Sequence, residues 1–536
     1  MKKLKLVCVA IAMAGAAPTF AGGLLTNTNQ HVAFNRMMSR EASIGIDGVY
    51  YNPAGVVFMG DGHHLAINWQ LAYQTRTINN DYKLFTNNVN NPITPRDFKG
   101  KAFAPVIPSF QYAYNKGKWS FQANFALTGG GGKCTFDDGL GSFEKIVSET
   151  AIAACGLAGV VDQTLGNTLG QPGMEMFTSD QAFGKTGKYS FNSYMHGRQY
   201  YYGLSVGAAY KFCDNFSAFL GVRGVYALTN YYGYVENINV GNMPLYKVLD
   251  PSKETAANIE LSCDQSGVGF TPIIGVDYKT GRWNFSAKYE FKTRIRLKNK
   301  SVNQTPSIGN LPANLANQMT GILTAKFQQA GLPLEQAKQR AENTTNTVLN
   351  DPTVGATMMG LKTQFDQKLN KAIGEYEDGK KIAGDIPGYL ALGIGYSPVD
   401  AVRVNVGFHW FDDKNATSYN NRNKELKRGT LEYNAGVEVD VNKKITLSTG
   451  WQNTNYGLSE DYMDDKSFVV SSNSAAIGGV YHINKKMDLN VAYFHTFYQH
   501  KKTSETVQLA ADKSIVYNSD YTRNNNVFAV GLDINF

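Results

Sequence analysis

Residues 283–296 read WNFSAKYEFKTRIR. Trp283, Phe285, Ala287, Tyr289, Phe291, Thr293 and Ile295 alternate with Asn284, Ser286, Lys288, Glu290, Lys292, Arg294 and Arg296. A period of two puts each set on its own face of a β-strand. The same pattern recurs in residues 119–127, 402–410, 431–440 and 528–536. About 14 strands long enough to cross a membrane at a tilt are expected. They lie near 63–79, 101–115, 118–128, 197–211, 215–236, 255–279, 282–298, 385–397, 401–412, 427–441, 444–456, 467–482, 486–502 and 523–536.

A soluble sandwich also alternates, but two features favour a closed transmembrane barrel with its apolar face outward. Aromatic clusters (Tyr200-Tyr201-Tyr202, Tyr231-Tyr232, Tyr493-Phe494, Phe497-Tyr498) flank the strands, where amphipathic rings suit the lipid–water boundary. Every second connection is a tight turn rich in Gly, Asn, Asp or Pro, and the others are long. A sandwich has no reason to sort its loops in this way. The sorting predicts both barrel termini on the periplasmic side of a bacterial outer membrane.

Composition agrees. Of 536 residues 43% are hydrophobic and 18% charged, with 53 Gly, 31 Tyr and 29 Phe. A mean hydropathy of −0.30 does not fit a bundle of membrane helices. Such aromatic content excludes disorder, and a net charge of +8 over this length gives no support for nucleic-acid binding. Five Cys are too few for a disulfide scaffold, although Cys134 and Cys155, read as sharing one loop, are able to pair. The pairing of Cys134, Cys155, Cys213 and Cys263 stays open.

Lys2, Lys3 and Lys5, an apolar run over residues 6–17 and the small residues of Thr19-Phe20-Ala21 predict a secretory signal at 1–21. No apolar run of about 18 residues is expected after it. Residues 22–62 do not alternate but keep apolar content (Val49, Tyr50, Val56, Val57, Phe58), so they are expected inside the barrel as a plug. The barrel then occupies 63–536, with long outer loops at about 129–196 and 299–384.

Residues 48–55, GVYYNPAG, stand just before the first strand. With the leader, the strand count and a terminal strand closing on Phe536, this segment resembles the FadL family of outer-membrane transporters for long-chain fatty acids and other hydrophobic compounds. The resemblance implies a barrel of about 14 strands, an N-terminal hatch bent at Asn52, Pro53, Ala54 and Gly55, and a side opening at a kink in the third strand. It implies passive transport of a fatty acid or hydrocarbon, with no enzymatic activity and no cofactor. The 299–384 insert departs from the pattern.

The loops point to a hydrophobic ligand independently. Leu315, Met319, Ile322, Leu323 and Phe327 recur at helical spacing, as do Met358, Leu361, Phe365, Leu369, Ile373 and Tyr376. Such faces either pack on one another or form a greasy groove. Leu315, Met319, Phe327 and Met358 are the ligand candidates there. A fatty carboxylate needs a cation. By alternation Arg223, Lys288, Arg294, Arg296 and Arg403 face the lumen, where Glu290, Glu432 or Glu438 compete for them. Arg223 interrupts the apolar inner row of Phe219, Val225 and Ala227, so Arg223 and Phe219 are the favoured contacts.

Other signals are weaker. Residues 203–207, GLSVG, match a hydrolase nucleophile pattern but sit in an alternating strand and not at a strand-to-helix elbow. Residues 129–133, GGGGK, lack the first Gly and the Ser/Thr of a phosphate loop. His63-His64 has no further ligands at metal spacing. Asp137-Asp138, Asp412-Asp413 and Asp464-Asp465 are expected in solvated outer loops, the alternative being that they bind divalent cations bridging lipopolysaccharide. The expected partners are hydrophobic small molecules, outer-membrane lipid and lipopolysaccharide, with the chain a monomer. A general porin and a surface adhesin using the long loops are the competing readings.

Overall fold

In the computed structural model, which describes residues 23–27, 29–306, 309–510 and 513–536, fourteen antiparallel strands form one closed barrel. The expected leader at 1–21 lies outside the described residues. The strands are β1 (Gly62–Tyr82), β2 (Arg96–Lys116), β3 (Trp119–Phe136), β4 (Tyr189–Cys213), β5 (Phe216–Val240), β6 (Ile259–Thr280) and β7 (Trp283–Glu290, resuming at Arg296–Gln304). They continue with β8 (Lys381–Ala383, resuming at Tyr389–Val399), β9 (Val402–Phe411), β10 (Thr430–Asn442), β11 (Ile445–Asn455), β12 (Ser472–Asn484), β13 (Met487–Tyr498, resuming at Lys501–Ala510) and β14 (Lys513–Asn535). Each pairs with the next, and β1 pairs with β14 as well as β2, which closes the ring. At that seam His63 N donates to Phe536 O at 2.7 Å and Phe536 N to His63 O at 2.9 Å.

The wall is apolar outside and polar inside. Leu220 and Phe270 are each 69% exposed on the outer face, while Gln70, Gln111 and Gln452 are wholly buried within. Buried amides must find partners. Gln111 accepts from Asn68 at 2.8 Å and donates to the Gln30 carbonyl and to Asn124. Each aromatic cluster is split by the pleat. Tyr201, Tyr231 and Phe494 point inward and are buried, while Tyr493 and Phe497 point out, so only part of each cluster forms the expected girdle.

Several strands run further at the loop end than alternation predicts. β3 reaches Phe136 and β7 reaches Gln304, which trims the two long loops to 137–188 and 305–380. An extension that rises beyond the hydrocarbon of a membrane needs no apolar face.

Strand β7 corrects a finer expectation. Up to Glu290 its even-numbered side chains face the lumen, but beyond the break Thr293, Ile295 and Leu297 do. β6 pairs Ile273 with Glu290 and Ser266 with Lys298, so β7 carries one extra residue between them. An inserted residue inverts the side-chain phase. Arg294 and Arg296, expected inside, therefore face outward.

Residues 23–27 and 29–59 fold within the barrel, with α1 (Val32–Arg36) and α2 (Gly48–Tyr51) as single turns. At the loop end lie α3 (Gly141–Leu169), α4 (Tyr246–Leu249), α5 (Leu311–Gln329), α6 (Leu334–Leu349) and α7 (Pro352–Ile373). By length and composition α3, at 29 residues, is apolar enough to cross a membrane, contrary to expectation. It packs instead against α6 and α7, with Val147, Val161 and Leu165 in one apolar cluster with Val348 and Val354. It ends on Gly170 in the left-handed conformation, φ 66°, a common helix stop. Helix α6 is unforeseen because its buried face is Ala337, Ala341, Thr344, Thr345 and Val348, small or polar residues that blur the hydrophobic period.

Candidate functional site

The plug is fastened by the residues around its NPAG turn. Asn52 Nδ2 donates to Asp277 on β6 at 2.6 Å, and Asn52 Oδ1 accepts from Gly55 N at 3.2 Å. The carbonyls of Pro53 and Ala54 accept from Gln122 on β3 and Ser217 on β5, each at 2.7 Å. Gly55 has a close-approach role, since a Cβ there would stand 2.4 Å from Asn52 Nδ2. Asn52→Ala is expected to destabilise the fold by about 1–3 kcal/mol, because it removes a buried hydrogen bond to the Asp277 carboxylate, which keeps only Asn284, and one from Gly55 N. The denaturant midpoint in detergent checks this, and an unchanged midpoint refutes it.

Charge holds the remainder. Arg40 bridges Asp47 at 2.7 Å and Glu438 at 3.0 Å, and Arg36 also pairs with Glu438. Burial pushes the Asp47 carboxyl up, but the neighbouring Arg40 guanidinium overrides it and holds the carboxyl below its usual range. His409 is clamped between Glu41 of the plug at 2.7 Å and Glu432 at 2.8 Å.

The favoured cations are already neutralised. Arg223 makes a bidentate pair with Glu290 at 2.6 and 2.9 Å, and Lys288 reaches Glu290 at 3.0 Å and the Tyr50 carbonyl at 2.7 Å. Glu290 thus occupies the place proposed for a ligand carboxylate. Phe219 packs under the plug with Ala54 and Val57. Arg403 lies at the short-turn end, paired with Asp440 at 2.7 Å.

Two other cations, outside the expected set, stand together in the lumen. Arg76 on β1 and Arg523 on β14 are direct cross-strand partners. Both line a lumen cavity of about 250 Å³ just above the plug. Arg523 donates to Gln74 Oε1 at 2.8 Å, but its buried Nε has no hydrogen-bond partner. Among the described residues no carboxylate pairs with either arginine. Alternation assigns both to the inner face; what hid them is that their adjacency depends on the register of the closing seam.

That cavity borders a gap in the wall. β2 and β3 pair from Lys116↔Trp119 to Ser109↔Ala126, then only again at Ala102↔Cys134. Residues 103–108 and 127–133 between them form no ladder. Gly130 has φ 77°, and a Cβ there would lie 2.4 Å from Gln199 O. The glycine run therefore bulges β3 away from β2. The start of the plug crosses the inside of the gap, where Gln30 Nε2 donates to Leu127 O at 2.6 Å.

Toward the loops the lumen cavity shares Met195 and Lys466 with a second, mainly apolar cavity of about 310 Å³. This in turn shares Phe143, Ile146, Val235, Ile259 and Phe365 with a third, of about 140 Å³, between α3, α5 and α7. Leu315 lines the third cavity, whereas Met319, Phe327 and Met358 pack among the loop helices. The rim of the second cavity is acidic. Asp464 and Asp465 are buried there, not solvated as expected, and burial pushes the Asp464 carboxyl up to about 6. Asp413 is buried too, accepting from Thr430 N at 3.0 Å. Cys134 sits in β3 and Cys155 on α3, not in one loop, and both are free thiols, as are Cys213 and Cys263.

No protein-family model and no curated protein sequence matches the chain. Solved structures do. A Pseudomonas aeruginosa FadL homologue aligns over 96% of this chain and 100% of its own, at 13% identity and a TM-score of 0.57. A deltaS2 mutant of the TodX monoaromatic hydrocarbon channel aligns over 95% of this chain and 100% of its own, at 13% identity and a TM-score of 0.50. The chain therefore has the FadL-type fold, a fourteen-stranded barrel built around an N-terminal plug.

Proposed function

We propose that the chain is a passive outer-membrane channel for hydrophobic compounds, with long-chain fatty acids as its principal substrate. The carrying observation is the row of wall-sharing cavities that runs from the loop helices to the gap between β2 and β3. The TodX neighbour is described as a monoaromatic hydrocarbon channel, which supports the broader substrate class. An alkyl chain gains about 0.8 kcal/mol for each CH₂ it buries, so apolar cavities in series draw it inward without an energy source. The plug obstructs the axial route, which speaks against an open porin. The ligand enters between α3, α5 and α7, settles above the plug, displaces residues 23–30 and leaves sideways into the membrane.

Arg76 and Arg523 favour an acid over a neutral hydrocarbon in the lumen. Hydrogen bonds from a cation to a carboxylate contribute about 1.5–3 kcal/mol each. The double variant Arg76→Ala, Arg523→Gln is expected to slow oleate uptake by roughly ten-fold while toluene uptake is unchanged. Labelled uptake by cells carrying the full chain tests this. Equal loss for both compounds removes the head-group role, and a wild-type chain that carries neither compound removes the function.

A further inference from the structure

The extra residue in β7 leaves Lys292, Arg294, Arg296, Lys298 and Lys300 on the outer face of one strand. Asp385 lies near the lower part, 2.8 Å from Arg296 and 4.0 Å from Lys292. Among the described residues no carboxylate forms an ion pair with Arg294, Lys298 or Lys300, although Asp264 is the cross-strand partner of Lys300. Lys298 also faces Lys381 directly across the ladder to β8, and both are exposed. Like charges opposed across a sheet are destabilising unless an anion lies between them.

The height of this row identifies the anion. Below it, Trp283, Phe285 and Phe291 are exposed on the same wall. From Trp283 to Phe291 the strand climbs about 27 Å, or about 20 Å along the barrel axis at a tilt near 40°, close to the ~25 Å apolar band of such barrels. Arg294 therefore stands just above the hydrocarbon on the loop side. Arg294 to Lys300 rises about 15 Å more, whereas a phospholipid headgroup layer is only about 5–8 Å thick.

We propose that this row binds a phosphorylated glycolipid of the outer leaflet, one whose sugars carry phosphates at more than one height, as in the lipid A and inner core of lipopolysaccharide. The site is separate from the transport path and rests only on the barrel lying in the outer membrane with its loops outward. The test titrates the detergent-solubilised full chain with deep-rough lipopolysaccharide, with the same glycolipid dephosphorylated, and with phosphatidylglycerol. Cations near a membrane surface act nearly independently, so Lys298→Gln is expected to weaken lipopolysaccharide binding about five-fold, and Arg294→Gln, Lys298→Gln and Lys300→Gln together roughly a hundred-fold. Dephosphorylation should weaken wild-type binding to a similar extent. These side chains are exposed, and heat-resistant migration on a gel checks that the variants fold. If the triple variant does not fold, the single variant and the dephosphorylated lipid still decide. Unchanged binding by Lys298→Gln, or phosphatidylglycerol binding as tightly as lipopolysaccharide, overturns the proposal.

Discussion

Gly132→Trp is expected to lower oleate uptake by roughly ten-fold or more while leaving oleate bound inside the barrel. Gly132 pairs with Gln199 on β4 but lies in the part of β3 that forms no ladder with β2, and a Cβ there would stand 3.7 Å from Ala104 Cβ on β2, across the gap. An indole grown in that direction fills the opening at the edge of the lumen cavity, which Gly132 and Ala104 both line. Interiors that are close-packed do not pass an alkyl chain. Two measurements separate the steps: uptake by cells, and binding of a fluorescent fatty acid to purified protein. If uptake is unchanged, the ligand leaves along the axis, past the plug into the polar vestibule of about 1560 Å³ at the short-turn end. If binding disappears with uptake, the substitution has damaged the cavity and not only its outlet.

Glu290→Gln is expected to produce the largest loss of stability, about 3–5 kcal/mol. Arg223 and Lys288 have side chains only 4% and 3% exposed, and Glu290 is the carboxylate that neutralises both. The amide keeps the shape but leaves two buried cations uncompensated. The damage reaches the plug as well, because Lys288 holds the Tyr50 carbonyl and lies 4.1 Å from the centre of its ring. Adding Arg223→Met and Lys288→Met to Glu290→Gln is expected to restore much of the loss. The unfolding midpoint of the single variant, if equal to wild type, would show that the cluster does not act as a charge unit.

What the sequence reveals depends on what lipid and water demand of each residue. Where strands meet lipid, one face must be apolar, and all fourteen spans are legible from period two alone. Beyond the lipid that demand ends, so the loop-side extensions of β3, β7 and β14 are hidden. The bulge in β7 is hidden for another reason. Residues 283–296 alternate without a flaw, and the inserted residue shows only in the pairing with β6. Lumen charges follow the same rule. Alternation puts Arg223 inside correctly and sets Lys288 and Glu290 two residues apart on the same inner face, but only the neighbouring strands' register brings Arg223 to Glu290 and sets Arg76 beside Arg523. Helix α3 is hidden within a long loop because the helices that bury it, α6 and α7, stand more than a hundred residues away.

The hydrogen bonds between His63 and Phe536 have a consequence for how such a chain is made. Contacts between residues this far apart in sequence form slowly, and β1 cannot gain its second partner before β14 exists. Meanwhile the inner segment holds β2 through the Gln30 carbonyl, β6 through Asn52 and β10 through Arg36. With contacts on three separate strands, the stopper acts as an inner hub that braces the cylinder before and after its seam is sewn.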